Sequence, residues 1–367
     1  MRDGLPDYIC ACGRSYPPAA ARWRCECGGP LDLAPVPLTW TPDLDDDTLW
    51  RYAGALVLPD LGLTLGEGLT PLIRATSDGE PGLLLKVEYA SPTGSFKDRG
   101  AVMLVTLARL LGAGRVVADS SGNAGTAVAA YAARAGLRAE IFVPEGTSGK
   151  KLQQIRGHGA EVTVVQGSRE DTAAAAAARV EETGAFYASH VYNPYFHDGV
   201  KTYALEIFER LGGTAPATLV LPAGNGTLVI GAYLGFAALR DAGLVERVPR
   251  IVAVQAERCA PVAAAYAAGE REVRPVRPGP TVAEGIAIAA PVRGPRVLEI
   301  VRETGGAVVT VTEDEIAAAH AALAARGLWV EPTGAVAYAA ARRPLPGAAP
   351  GETVVAPLCG SGLKASL

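Results

Sequence analysis

The chain has 367 residues, of which 49% are hydrophobic and 20% charged, so it has the composition of a globular protein long enough for two domains and a small module. Its 38 acidic and 34 basic residues give a formal charge of −4, which argues against a nucleic-acid partner. No apolar run reaches the roughly 18 residues of a membrane helix, and the polar N-terminus lacks a signal-peptide core, so we expect a cytoplasmic protein without a membrane partner.

The first 35 residues form a short module that carries four of the six cysteines. Cys10 and Cys12 precede one glycine, and Cys25 and Cys27 precede another. Clustered cysteines in a large intracellular chain indicate metal before disulfides, and four thiolates suit a tetrahedral zinc ion. The common zinc knuckle, however, spaces its cysteines by two residues rather than one. Zinc bound by these four cysteines and a metal-free structural knuckle are therefore both open.

A proline-rich stretch over residues 35–42 is interpreted as a linker, and strands alternate with helices from residue 82 onward. The predicted strands are 83–88, 116–118, 139–143, 161–165, 218–221, 251–255, 308–311 and 353–358. The predicted helices are 95–111, 126–135, 150–155, 170–182, 228–239 and 313–325. This alternation predicts an α/β fold in which helices cover both faces of parallel sheets.

Residues 91–100, S-P-T-G-S-F-K-D-R-G, place a lysine where a helix is predicted to begin. Pro92 and Gly94 form a turn that leads into this helix, so Lys97 lies near its positive end. That end disfavours a protonated amine, as a Schiff-base lysine requires. Taken alone, a surface lysine in a first helical turn is the favoured interpretation.

Polar, glycine-rich segments follow three strands, at the ends where parallel sheets bind ligands. Residues 120–126, S-S-G-N-A-G-T, offer hydroxyl, amide and N–H groups to a carboxylate or phosphate, with a serine-capped turn as the alternative. Residues 222–228, P-A-G-N-G-T-L, aim N–H groups at a phosphate. They do not form a dinucleotide fingerprint, because the third glycine comes two positions late. Residues 357–364 carry a thiol and a hydroxyl between glycines, with a buried structural cysteine as the alternative.

In this order, the four segments resemble the threonine synthase branch of the fold-type II pyridoxal-phosphate enzymes, a group that includes serine/threonine dehydratases. The resemblance begins at G-E-G-L-T-P-L, residues 66–72, and the cysteine knuckles are similar to those of some threonine synthase-like proteins. It implies two doubly wound α/β domains with pyridoxal 5′-phosphate between them, and a homodimer. After the knuckle of residues 1–35, the larger, cofactor-binding domain is expected to span residues 36–104 and 196–367. The smaller, mobile domain is expected to span residues 105–195.

The resemblance also implies the roles of individual residues. Lys97 forms the aldimine with the cofactor and then moves protons as general base and acid. Asn123 bonds the cofactor's ring hydroxyl, and the loop that binds the substrate carboxylate comprises Ser120, Ser121, Asn123 and Ala124. The cofactor phosphate is held by Gly224, Asn225, Gly226, Thr227 and Leu228. Cys359 faces the pyridine nitrogen, with Ser361 as the rival, and a neutral partner of this kind favours elimination over a long-lived carbanion.

One segment departs from the pattern of this branch, which reads N-x-x-N-P-x-R-x-x-G-x-K-T. Residues 190–202 read H-V-Y-N-P-Y-F-H-D-G-V-K-T, so Phe196 replaces the arginine and His190 the first asparagine. A phosphate dianion prefers a bidentate guanidinium, and His197, one place on, is mostly neutral at pH 7. We therefore expect an amino-acid substrate other than O-phosphohomoserine.

The sequence predicts a lyase that performs β- or γ-elimination or replacement on an amino acid. A serine or threonine ammonia-lyase needs the same lysine and loops, and product analysis separates the two. A non-catalytic protein that binds the cofactor is a third interpretation, against which the intact Lys97, Asn123 and phosphate loop argue. A nicotinamide-dependent dehydrogenase rests only on the imperfect glycine spacing.

Overall fold

A computed structural model describes residues 4–18, 22–75, 82–147 and 149–364, without the side chain of Lys151. Its strands are β1 (Tyr8–Ile9), β2 (Ser15–Tyr16), β3 (Asp32–Leu33), β4 (Leu72–Arg74), β5 (Leu83–Lys86), β6 (Arg115–Ala118), β7 (Arg138–Pro144), β8 (Glu161–Val165), β9 (Phe186–Tyr187), β10 (Thr218–Pro222), β11 (Arg250–Ala256), β12 (Ala307–Val311) and β13 (Val354–Pro357). Its α-helices are α1 (Lys97–Leu110), α2 (Asn123–Arg134), α3 (Gly149–Gly157), α4 (Arg169–Thr183), α5 (Pro194–Val200), α6 (Thr202–Arg210), α7 (Thr227–Asp241), α8 (Pro261–Ala267), α9 (Gly294–Glu303), α10 (Glu313–Ala324) and α11 (Pro332–Ala341).

One compact unit comprises the described parts of residues 1–68 and 97–200. Its main sheet has the order β8-β7-β6-β9, and all neighbouring strands are parallel. Ile141 of β7 faces the start of α2, whereas the next residue, Phe142, packs with Ala176 and Val180 of α4. Because successive strand residues point to opposite faces, helices cover both faces of this sheet. A small antiparallel sheet, β2-β1-β3, belongs to the same unit.

The second unit comprises the described parts of residues 69–96 and 201–365. Its sheet has the order β12-β11-β10-β13-β5-β4, in which only the edge strand β4 is antiparallel to its neighbour. Apolar residues of β10, β11 and β13 pack with α10 and α11 in one continuous core. The carboxyl ends of β10, β13 and β5 therefore lie side by side at one edge of the sheet.

The predicted α/β class is confirmed, and the predicted strands and helices recur within a few residues of their expected bounds. Packing places residues 36–68 and α1 in the first unit, and not with the larger domain that the sequence predicts. The Tyr131 hydroxyl of α2 donates to the Glu67 carboxylate at 2.7 Å, and α1 packs on α2 and α5. Which residues move as one domain stays a prediction. Within the described ranges, no helix combines the length and apolarity that a membrane crossing needs.

Candidate functional site

In the second unit, three neighbouring strands carry candidate residues at their carboxyl ends. The 223–228 loop follows β10, the loop with Cys359 and Ser361 follows β13, and β5 leads into the segment that ends at Phe96. Since these strands are adjacent and parallel, the sheet brings the first two loops together with the residues that precede Lys97. This edge is where open α/β sheets bind ligands.

The loop at the start of α7 is shaped for an anion that approaches the backbone closely. Gly226 is the N-cap residue with φ of +84°, and it makes no side-chain cap to the helix. A Cβ on Gly226 would lie 2.2 Å from Val297 Cγ2, and one on Gly224 would lie 3.0 Å from Ile288 Cγ1. Glycine is therefore required at Gly226, and a side chain at Gly224 would be tightly crowded. The N–H groups of a helix start, together with its dipole, suit a phosphate.

The loop after β13 is tied to the residues that precede Lys97. The Phe96 amide donates to the Cys359 carbonyl at 3.2 Å, and the Ser361 amide donates to the Gly94 carbonyl at 2.9 Å. Cys359 is buried, with 2% of its surface exposed. The thiol and the nearby hydroxyl thus have fixed positions beside the strand end that leads to the lysine, and either can serve as a neutral polar partner.

In the first unit, Lys97 is the first residue of α1 and is half-buried. Its Nζ lies 5.7 Å from the ring centroid of the fully buried Phe196. The ring packs directly on α1, since a Cβ on Gly100 would come within 2.3 Å of it. An aromatic face attracts a cation but cannot bind a phosphate oxygen. His197, the neighbouring candidate for the missing positive charge, is buried in α5 with 1% exposed.

The Ser120–Ala124 loop folds tightly against the start of α2. Gly122 is the N-cap and makes no side-chain cap hydrogen bond, while the Ser120 hydroxyl accepts from the Gly122 amide at 3.3 Å. A Cβ on Gly125 would lie 1.8 Å from the Ser120 carbonyl oxygen, so glycine is required there. The N-cap of α2 is thus a glycine and not a serine, although Ser120 caps the turn before it, and the role of this loop in substrate binding stays a prediction. A helix start without a side-chain cap suits a carboxylate ligand.

Two titratable side chains of the first unit lie near this loop and near Phe196. Asp119 precedes Ser120, and burial raises its pKa to about 6 even though the Tyr187 hydroxyl donates to it. The His190 ring lies 5.9 Å from the Phe196 ring. Burial, and to a smaller extent the positive charge of Lys97, lowers the pKa of His190 well below its usual value. At pH 7, Asp119 is therefore mostly ionised and His190 is neutral, so neither attracts a phosphate.

The four cysteines of the small antiparallel sheet converge. Their Sγ atoms all lie within 4.8 Å of one another, with 3.6 Å between Cys10 and Cys27 and 3.5 Å between Cys12 and Cys25. The one-residue spacing does not keep the sulfurs apart, because each cysteine of one pair faces a cysteine of the other pair.

Sequence reasoning missed a buried charged network in the second unit. The fully buried Lys86 donates to Glu206 Oε2 at 2.6 Å and to the Thr70 hydroxyl and carbonyl, while the Thr70 hydroxyl donates to Glu88 at 2.7 Å. The Leu69 amide donates to Glu206 at 2.9 Å. The network fixes the end of the G-E-G-L-T-P-L segment. Lys86 and Glu88 stand together at the carboxyl end of an apolar strand, but nothing in the sequence indicates that Lys86 pairs with Glu206.

The profile of a family described as pyridoxal-phosphate dependent enzyme matches residues 63–360. The chain belongs to the pyridoxal-phosphate dependent enzymes. Threonine synthase of Methanocaldococcus jannaschii is 32% identical over 347 residues, which cover 90% of this chain and 85% of that protein. Threonine synthase of Mycobacterium leprae is 36% identical over 309 residues, which cover 82% and 83%. The solved structure of a fungal L-serine ammonia-lyase from Rhizomucor miehei has a TM-score of 0.70 and 25% identity, and covers 80% of this chain and 93% of that one.

These findings confirm the resemblance to threonine synthases and the fold-type II class. The residues also fit the cofactor of the pyridoxal-phosphate enzymes. Gly224 and Gly226 leave a cradle that any Cβ would fill, at a helix start that suits the phosphate. A lysine amine begins α1, and a buried thiol stands beside the strand end that leads to it.

Proposed function

We propose that this enzyme catalyses β- or γ-elimination or replacement on an amino acid other than O-phosphohomoserine. The contact between Lys97 and Phe196 carries the proposal, because it puts an aromatic ring beside the reactive lysine. A site for a phosphorylated side chain needs a guanidinium or ammonium group there. The aromatic ring favours instead a substrate whose side chain is small and uncharged.

In this proposal, Lys97 is the lysine that holds pyridoxal phosphate covalently, and its amine takes the α-proton of the substrate and returns it. The cofactor, when bound, supplies the sink for the electron pair that this proton leaves behind. The substrate carboxylate is held by Ser120, Ser121, Asn123 and Ala124, and Asn123 also bonds the cofactor's ring hydroxyl. The cofactor phosphate is held by Gly224, Asn225, Gly226, Thr227 and Leu228. Cys359, with Ser361 as the rival, gives the pyridine nitrogen a neutral partner, which favours loss of a leaving group.

The electrostatics of the first unit support an uncharged side chain. Above pH 6, Asp119 adds a negative charge next to the carboxylate loop, and the neutral His190 does not offset it. Among the described residues, Arg169 is the one cation besides Lys97 whose charge shifts the pKa of Asp119 or His190. Arg169 begins α4 and is exposed, so solvent screens its charge.

The test is a set of steady-state assays with O-phosphohomoserine, serine and threonine. We expect turnover of an amino acid with an uncharged side chain, and little threonine or phosphate from O-phosphohomoserine. Phe196→Arg should raise turnover of O-phosphohomoserine, whereas the matched Phe196→Leu should not. Robust release of threonine and phosphate from O-phosphohomoserine by the unaltered enzyme would contradict the proposal. If that release were then lost in Arg169→Gln, Arg169 would be identified as the phosphate-binding group.

A serine or threonine ammonia-lyase is the second candidate. It is favoured by the same aromatic contact of Lys97, and an L-serine ammonia-lyase is among the similar solved structures. Release of a keto acid and ammonia, without a second nucleophile, identifies this activity. A protein that binds the cofactor and turns over none of these amino acids would be non-catalytic. We further propose a homodimer, which light scattering of the purified protein tests.

A further inference from the structure

The two cysteine pairs lie on two copies of the same turn. In the first, the Cys10 amide donates to the Arg14 carbonyl and the Gly13 amide to the Cys10 carbonyl, both at 2.9 Å. The turn at Cys25 repeats these two bonds at the same spacing and with the same lengths. The glycine that follows each pair has a positive φ, +87° in the first turn and +84° in the second. Two equal turns that face each other suit a shared tetrahedral site.

The separation of the sulfurs fits one metal ion. Zinc–sulfur bonds of about 2.3 Å in a tetrahedron put the sulfur atoms about 3.8 Å apart. The crosswise pairs lie at 3.5 and 3.6 Å, and all four sulfurs are within 4.8 Å of one another. A disulfide needs about 2.0 Å, so the sulfurs surround a centre and are not bonded in pairs.

Polar groups around the sulfurs suit thiolates. The Gly29 amide donates to Cys27 Sγ at 3.4 Å, and the Arg14 guanidinium donates to Cys12 Sγ at 3.8 Å. The Tyr16 hydroxyl lies 3.1 Å from Cys25 Sγ. Four thiolates around a divalent ion carry a net charge of −2, which such donors stabilise.

The segment between the pairs packs on residues next to the substrate loop of the same unit. The Trp23 ring makes edge contacts with Tyr187 at 5.0 Å and with Tyr192 at 5.1 Å. Tyr187 ends β9, which pairs with β6 at Val117, and β6 leads directly into Asp119 and Ser120. The Tyr8 ring of β1 packs edge-on against Tyr195 at 5.9 Å. Tyr195 is the neighbour of Phe196. The cysteine module therefore contacts β9, close to the Ser120–Ala124 loop, and also the residue next to Phe196.

We propose that Cys10, Cys12, Cys25 and Cys27 bind one zinc ion, and that the zinc-held module braces the end of β9 through Trp23. The ion is structural, because four protein ligands leave no open position for a substrate. Trp23 is a positioning residue: it acts on the substrate loop through Tyr187 and Asp119. The metal site is independent of the proposed function, and only the kinetic readout below depends on it.

The first test measures zinc in the holoenzyme by elemental mass spectrometry after purification without chelators. We expect about one zinc per chain, and close to none in a Cys12→Ser/Cys27→Ser double variant. Cys259→Ser is the matched control: it changes a buried cysteine of the other unit and should keep the zinc. Cobalt should replace zinc and give the charge-transfer absorption of tetrahedral thiolate ligands.

Three outcomes would overturn the metal site. These are four free thiols without zinc, an intact mass lower by four hydrogens with disulfides mapped between the pairs, and equal loss of zinc in the Cys259→Ser control. Each can be read without any substrate, so failure of the metal site is distinguishable from failure of the proposed function.

The second test concerns the brace and compares Trp23→Ala with Trp40→Ala, which alters another partly buried tryptophan of the same unit. Trp23→Ala should keep zinc and cofactor absorption, but speed amide hydrogen exchange over residues 186–192 and raise KM more than it lowers kcat. Trp23→Phe should restore most of the protection, because an aromatic edge contact is kept. Unchanged exchange in Trp23→Ala, or the same change in Trp40→Ala, would overturn the brace.

Discussion

Replacing Gly226 with alanine should distort the candidate phosphate-binding loop, and the structure gives the displacement that is needed. The new Cβ would lie 2.2 Å from Val297 Cγ2, whereas carbon atoms in contact stay about 3.5 Å apart, so one side must move by roughly 1.3 Å. Overpacking of this kind costs about 1–3 kcal/mol. The left-handed φ of +84° adds about 1–2 kcal/mol for any residue with a Cβ.

Gly243 provides a matched control in the same unit. Its φ is +73°, and a Cβ there would meet nothing within 4 Å, so Gly243→Ala carries the backbone cost alone. The difference of about 1–3 kcal/mol should appear in the free energy of unfolding or, where the loop relaxes, as roughly 5- to 150-fold weaker cofactor binding. Urea denaturation and titration of the apoprotein with pyridoxal phosphate measure the two. Equal values for Gly226→Ala and Gly243→Ala would contradict the predicted clash with Val297.

Three further changes test other parts of the structure by urea denaturation. Gly100→Ala places a Cβ 2.3 Å from the Phe196 ring and should cost about 1–3 kcal/mol; no loss would contradict the packing of that ring on α1. Burial raises the pKa of Asp119 from 3.8 to about 6, so this carboxyl stays protonated to a higher pH in the folded protein than in the unfolded chain. The stability that results is fully present below pH 4 and is lost as the pH rises through 6, by up to about 3 kcal/mol. Asp119→Asn should remove this fall, and an unchanged pH profile would contradict it. Lys86→Met removes the ammonium group that faces the buried carboxylates of Glu88 and Glu206, and should cost about 3–5 kcal/mol. Arg296→Met, in the more exposed pair with Glu299, should cost under about 1 kcal/mol.

The loops that carry chemistry were predictable because each combines turn-forming and polar residues after an apolar strand. Ser120–Ala124 and Gly224–Leu228 each run into the start of a helix in the structure, as their composition predicts. The departure at Phe196 was also visible in the sequence. Its contact with Lys97 was not, because the two residues are far apart in the chain and meet only where α5 packs on α1.

Other features depend on tertiary contacts that no local pattern reveals. Lys86 and Glu206 are 120 residues apart, so their buried ion pair has no sequence signal. The helix α11, P-T-G-A-V-A-Y-A-A-A, is apolar on all sides and therefore lacks the periodicity that identifies a half-buried helix. The strand β9 has two residues, too few for an alternating pattern. The cysteine spacing argued against a shared site, whereas the crosswise approach of two turns brings the sulfurs together.

The assignment of Lys97 as the lysine that holds the cofactor is tested most directly by borohydride reduction of the purified enzyme followed by peptide mass mapping. Reduction makes the lysine–cofactor bond permanent. We expect the phosphopyridoxyl group on the peptide that contains Lys97, and loss of both label and visible absorption in Lys97→Ala. A variant of the exposed Lys150 should retain both. Label on another lysine, or an unchanged absorption band in Lys97→Ala, would contradict the assignment.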